Sequence, residues 1–392
     1  MKVIICGGGI AGLAAAERLS SIGAEVTLLE RATGPDERGY LIDFYGAGYE
    51  AAELVGVLPA VKDASYRIDE ATLVDEQGRR KADLPYNQIA KALGGRVASL
   101  LRPDLAKALR SNLPDGVEVR FGASLSAVTN RDDSVSVTLD TGEELAADLL
   151  IGADGLHSTV RSLVFGDESE YLRYLGFHCA AYLCDASDIG RQADTEQIVL
   201  TDTVGRQLDL LFLPDGRVAV LAAFAVPDPR LSMDPRAAVR ERFSDMGWLV
   251  PAIVDRCPPA EEMYCEAAAQ VVMPDWSKGR VVLIGDAAAA ISPLAPHGAS
   301  LAVAGAYVLA EQLRLTSSVE RGLEFYEKLW RWVVEDKQKV TREVGCWTVP
   351  PSRRVALRFS WRPLVNRFIT TALAGEPTMV IATLRRGTSE PG

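Results

Sequence analysis

The sequence predicts an α/β fold with three parts: a parallel sheet opened by a βαβ unit, a second and antiparallel sheet, and a helical C-terminal tail. Three observations predict it. The first thirty residues read as strand, glycine turn, helix and strand. Two further buried strands, ending near Gly152 and Gly285, each finish on a glycine followed closely by an acid. Between them, residues 166–275 fall into strand-length runs with no nucleotide signature.

The opening carries the most information. Val3, Ile4 and Ile5 are consecutive and β-branched, as in a strand buried on both faces of a parallel sheet. Gly7, Gly9 and Gly12 then match GxGxxG, where missing side chains allow a tight turn, close approach of backbone to a pyrophosphate, and close packing of helix on strand. Ile10 and Ala11 open the helix, whose free N–H groups and dipole favour phosphate. The helix runs over 10–22 and stops at Gly23. The next strand, 25–29, ends at Glu30, whose carboxylate can accept a ribose hydroxyl.

Composition narrows the class. With 392 residues, 48% of them hydrophobic, the chain can bury a large core and form about two domains. No apolar run reaches the ~20 residues of a membrane span, and the glycines at 7–9 interrupt the N-terminal run too early for a signal peptide. Six cysteines without CxxC spacing read as reduced thiols of a cytoplasmic protein. A net charge of −11 without a basic stripe argues against nucleic acid as a partner.

Taken in order, residues 31–48 contain four glycines and read as a loop, followed by helical spacing that stops at Pro59. Residues 65–98 alternate loosely and can supply strands to the second sheet. A helix starts within 100–113, where Pro103 follows Arg102. Short strands at 117–121, 124–129, 134–139 and 144–151 lead into the segment GADGLHSTVR, which places Asp154 after a buried strand and opens a helix at Ser158. The strand 281–284 ends on Gly285 and Asp286, and a helix of small residues follows Gly298. In the second sheet, strands at 174–183, 197–201, 207–213 and 218–225 present Phe177, His178, Tyr182, Leu210, Phe212 and Phe224 as candidate pocket residues. His157 reads as a solvated side chain. The histidines lack metal-site spacing. The tail begins with an amphipathic helix from Val319, is interrupted at Pro350-Pro351, and resumes after Ser360; its tryptophans, including Trp330, Trp332, Trp347 and Trp361, read as packing against the body.

GxGxxG with Glu30, GADGLHSTVR and GDAAAAISPLAPHG stand in the order and spacing of the group A flavoprotein monooxygenases, and over roughly 1–315 the sequence resembles the para-hydroxybenzoate hydroxylase fold. The resemblance implies a Rossmann-like FAD-binding domain (1–64, 99–165 and 276–315), an antiparallel substrate domain (65–98 and 166–275) and a helical C-terminal region (316–392). It implies FAD held by Gly7, Gly9, Ile10, Ala11, Gly12, Glu30, Arg31, Arg102, Asp154, Asp286, Pro293, Gly298 and Ala299. NAD(P)H would reduce the flavin, oxygen would add at its C4a, and one oxygen atom would pass to an aromatic or polyketide-like small molecule. His297 and His178 are the catalytic candidates. Against the family's GDAAHxxxPxxGQGxN, this chain has Ala289, Pro296, His297 and Ser300 at altered positions. Pro296 removes one N–H beside the flavin, which keeps a second reading open: a redox-neutral cyclase or isomerase in which FAD is structural.

Overall fold

The computed structural model describes residues 1–84, 86, 90–91, 93–189, 197–295, 297–349 and 378–387. Two large sheets organise it. The first has six strands in the order Ser277–Lys278, Val281–Leu283, Leu149–Gly152, Lys2–Cys6, Glu25–Glu30, Glu118–Phe121, all parallel except the first pair. The helix Ile10–Ser21 crosses from the opening strand to its neighbour and packs against the long helix Gly298–Leu315. Val3, Ile5, Leu28, Ile151 and Val282 are among the residues of the core between these layers. This is the doubly covered arrangement that consecutive apolar residues specify.

The expected strand 144–151 divides into Glu144–Ala147, which closes a three-stranded meander, and Leu149–Gly152, which enters the six-stranded sheet. Asp148 is the crossing point. Its N–H donates to the Lys2 carbonyl at 2.9 Å and its carboxylate accepts the Lys2 N–H at 2.7 Å. The expected loop 31–48 also holds more structure than its glycines imply. Leu41–Tyr45 is a strand paired antiparallel with Val97–Leu101, and a helix, Gly46–Leu54, begins directly after it. Pro59 lies in the first turn of a second short helix, Leu58–Asp63, and Leu100 and Leu101 belong to the strand that precedes the helix Arg102–Ser111.

The second sheet has seven strands in the order Tyr264–Val271, Leu172–Asp185, Arg217–Ala225, Arg206–Phe212, Gln197–Thr203, Glu70–Val74, Arg80–Leu84. Every pair is antiparallel except Gln197–Thr203 with Glu70–Val74, which the chain joins through the six-stranded sheet and not by a hairpin. One face packs on the helices Pro235–Phe243 and Val250–Val254, and the other looks toward the first half. The tail helix Val319–Thr348 lies along Gly298–Leu315; Trp330 is buried against Gly305, while Trp332 is exposed. Trp347, Trp361 and the resumption expected after Ser360 lie outside the described side chains, apart from the helix Thr378–Gly387. Among the described residues no helix is long and apolar enough to cross a membrane.

Candidate active site

Three glycine turns meet at the carboxyl ends of the first sheet's central strands, where open α/β sheets bind ligands. Gly7 leaves its strand at φ +109°, and a Cβ there would lie 2.4 Å from the Ala153 carbonyl oxygen. A Cβ on Gly12 would lie 1.9 Å from the Gly7 oxygen. These two glycines are required by packing. Gly9 differs, because a Cβ there would meet nothing within 4 Å, so the turn is open on the side where the first N–H groups of the helix have no intrahelical acceptor. Ile10 and Ala11 are buried beside it. Glu30 takes the Gly8 N–H on one carboxylate oxygen at 2.7 Å and the Ala32 N–H on the other at 2.8 Å. Each oxygen keeps further acceptor capacity for a hydroxyl. Arg31 follows, exposed to solvent.

The second turn is braced from within. Asp154 accepts from Ser158 Oγ and from the Val160 N–H at 3.0 Å, and Ser158 Oγ accepts the Arg161 N–H at 3.0 Å, so both side chains cap the helix Thr159–Val164. Burial raises the Asp154 pKa and these bonds oppose the rise. Asp154 and Glu30 together, after burial itself, push up the Cys6 thiol at the end of the opening strand. Arg161 is fully buried and bridges this turn to the third, donating to the carbonyls of Leu156 at 2.6 Å and Ala287 at 3.0 Å. His157 is not merely solvated. Its Nδ1 lies 3.0 Å from Glu168 and its Nε2 3.1 Å from Glu266, and the bond to Glu266 leads in raising its pKa to about 9.

In the third turn, Gly285 adopts φ +57°, and a Cβ there would lie 2.7 Å from Ala11 Cβ. Asp286 reaches solvent through the crevice, yet the surrounding protein raises its pKa, with Arg102 as the opposing charge. Arg102 is the first residue of its helix. Its N–H donates to the Tyr40 carbonyl at 2.9 Å and its guanidinium lies 3.8 Å from Asp36. Asp286 also borders a small cleft whose lining includes Gly285, Ala289, Gly298, Leu301, Trp276 and Trp330.

The loop beyond Asp286 carries half-buried Pro293 and leads into Gly298 and Ala299, the first residues of the long helix; a Cβ on Gly298 would meet nothing within 4 Å. Pro296 lies outside the described residues. His297 is buried, and its Nδ1 is 2.8 Å from the Tyr45 hydroxyl, whose own backbone N–H donates to Ser300 Oγ at 3.2 Å. Burial, and then Lys337, lower the His297 pKa to about 3. It is uncharged at neutral pH, so any part it takes is that of a neutral imidazole.

Strand alternation sorts the candidate pocket residues by face. Phe177 is turned toward the cofactor half, in a cluster that includes Leu294. Tyr182, Leu210, Phe212 and Phe224 point the other way, into the core under Pro235–Phe243. His178 is corrected with them. It pairs across the strands with Phe224, packs on that ring at 5.9 Å, and stands away from the crevice. Two central rows of the face that looks toward the first half are polar in part. One is Leu200, Asp209, Leu221, Ala181 and Tyr264; the other is Asp202, Gln207, Ala223, Cys179 and Glu266. The Tyr264 ring lies 5.4 Å from that of Tyr40, tilted by 48°, and the Tyr40 carbonyl accepts the Arg102 N–H. Gln207 and Asp209 were not singled out from the sequence, although a carboxylate flanked by leucines within a strand was a signal that could have found Asp209.

The described residues fit a flavin dinucleotide: three glycines that packing demands, Gly7, Gly12 and Gly285, two whose open sides leave room, Gly9 and Gly298, and acids at each strand end. The FAD binding domain family matches residues 1–201 and 254–336. An uncharacterized protein of Mycobacterium tuberculosis is 32% identical over 86% of this chain and 91% of its own length. A flavin-dependent monooxygenase of Legionella longbeachae is 28% identical over 88% of each chain. The crystal structure of the tetracycline destructase Tet(51) superposes with a TM-score of 0.82 at 26% identity, covering 100% of this chain and 99% of that one. The chain belongs to the FAD-binding family of flavin-dependent monooxygenases.

Proposed function

We propose that this protein uses NAD(P)H and O2 to oxygenate an aromatic or polyketide-like small molecule. The observation that carries the reading is the meeting of three glycine-and-acid turns at one crevice, faced by the inner surface of the seven-stranded sheet. Segments 1–64, 99–165 and 276–315 would hold the cofactor, 65–98 and 166–275 would cover the substrate, and 316–392 would buttress the long helix.

Bound FAD supplies the redox and oxygen chemistry. The chain supplies binding, orientation and exclusion of water. Glu30 would accept a ribose hydroxyl while keeping its bonds to Gly8 and Ala32. The open side of Gly9 would admit the pyrophosphate to the helix N-terminus. Arg102, whose charge opposes the rise of the Asp286 pKa, and Asp286 would take acceptor and donor groups of the cofactor between the two sheets. The first turn of Gly298–Leu315 would direct its N–H groups at negative charge developing on the reduced ring. His297, neutral and fixed by Tyr45, would hold that turn in place without adding a cation.

The test is spectroscopic. Purified protein should show a flavin spectrum, NAD(P)H should bleach it, substrate should accelerate the bleaching, and O2 should be consumed with product. Turnover under nitrogen, without nicotinamide and at the full aerobic rate, would replace this reading with the redox-neutral one.

A further inference from the structure

Asp209 stands at the middle of the sheet face that looks toward the cofactor half, on the fourth of seven strands. Its neighbours across the ladder are Leu200 and Leu221. Leu211, two residues on, joins an apolar cluster with Leu101, and Leu221 packs in the cluster that contains Leu294 of the cofactor loop. A carboxylate set among leucines is costly unless it has a partner. Here the hydrogen-bond donor is the Gln207 side-chain amide, 2.8 Å from Oδ1.

The surrounding charges do not neutralise it. Asp202, in the next row, is held by Lys81 at 3.0 Å, and Glu266 by His157 at 3.1 Å. Cys179 and Tyr264 are weak acids whose pKa values burial raises. Across the chamber, Asp43 accepts from Ser99 and Tyr86, Arg102 lies 3.8 Å from Asp36, and His297 is uncharged. Neither row of inward residues contains a lysine or arginine.

We propose that Asp209, oriented by Gln207, anchors the substrate by accepting a hydrogen bond from its O–H or N–H group, and that the substrate is uncharged or cationic and not a carboxylate or phosphate. The inference rests on the proposed oxygenase site and names the class of molecule that site takes. An anionic ligand would meet a carboxylate face with no basic residue in its two central rows, an element of rejection as well as of selection. Burial of Asp209 raises its pKa to about 7, with Asp202 adding to the rise, so its charge changes across the neutral range.

The experiment uses the full FAD-loaded chain and three matched probes: tyramine as cation, tyrosol as neutral molecule and para-hydroxyphenylacetate as anion. Binding is read from the perturbation of the flavin spectrum between pH 6 and 8, in the wild type and in Asp209→Asn, which keeps the shape of the side chain. Tyramine and tyrosol should bind more tightly than the carboxylate. Asp209→Asn should weaken tyramine about tenfold or more, the scale of a hydrogen bond to a charged group. Tyramine affinity should rise with pH in the wild type and stay flat in the variant. Tighter binding of the carboxylate, an order untouched by Asp209→Asn, or no perturbation by tyramine and tyrosol at all would overturn the proposal. Oxygen uptake with NAD(P)H is measured in parallel. An Asp209-dependent order without probe-stimulated uptake discards the oxygenase reading and keeps the anchor; uptake with an Asp209-independent order does the reverse.

Discussion

The guanidinium of Arg161 donates to the carbonyl of Ala287 at 3.0 Å, so the second and third glycine turns are bolted to one another across 126 residues of chain. The same side chain donates to Leu156 and pairs with Glu168. Arg161→Leu would leave those buried carbonyls unmatched. We expect a stability loss on the order of 3 kcal/mol, read by urea unfolding, together with a lower FAD content because the two turns would no longer hold their spacing.

Asp286 and Arg102 should act as a coupled pair in cofactor binding. Asp286→Ala should cost about 1.5 to 3 kcal/mol of FAD affinity, the range for a bond to a charged group. Arg102→Lys should fall well short of wild type, since an ammonium cannot reproduce the planar fork. FAD dissociation constants for both single variants and the double variant check this. Losses that simply add would show that the two residues do not share a cofactor group.

Gly9 and Gly12 separate two uses of one residue type. Gly12→Ala drives a Cβ to 1.9 Å from the Gly7 oxygen and should destabilise the apoprotein by about 1 to 3 kcal/mol or more, as overpacking does. Gly9→Ala meets nothing within 4 Å; it should leave apoprotein stability near wild type and weaken FAD retention. Thermal unfolding of stripped and loaded protein distinguishes the two.

His157 gives a pH-dependent contribution of definite sign. Its pKa is raised to about 9 by Glu266 and Glu168, above the ordinary value of about 6.5. The stabilisation is therefore complete below about pH 6.5 and is lost as pH rises through about 9. Because the side chain is 54% exposed, the magnitude is that of a solvent-screened pair, about 1 kcal/mol or less. His157→Asn should lower the urea midpoint at pH 6 and match wild type at pH 10.

The glycine turns were legible because each is written in consecutive residues: Gly7 and Gly285 take a positive φ directly after a strand, and Gly12 packs on Gly7 five residues away, although the contacts of Gly7 with Ala153 and of Gly285 with Ala11 are long-range. The inner face of the seven-stranded sheet was not. Both faces of the seven-stranded sheet are covered, so apolar alternation cannot say which one meets the cofactor, and aromatic residues such as Phe177 and Phe224 occur on both. The strand Leu41–Tyr45 was hidden by Gly39 and Gly46 on either side, and by a partner, Val97–Leu101, more than fifty residues away. His297 was legible as a position but not as a chemical state, since its neutrality comes from burial by distant helices.

The one parallel pairing of the second sheet bears on how the molecule is made. Gln197 lies beside Glu70, 127 residues earlier. During synthesis the hairpin of Glu70–Val74 and Arg80–Leu84 therefore leaves the ribosome with one edge unclaimed, and its partner follows residues 99–152, whose strands belong to three other sheets. Such long-range closure is slow, and an open edge recruits other chains. Nascent chains ending before Gln197 should depend on holding factors, and neither half of the enzyme should be obtainable as an autonomous fragment.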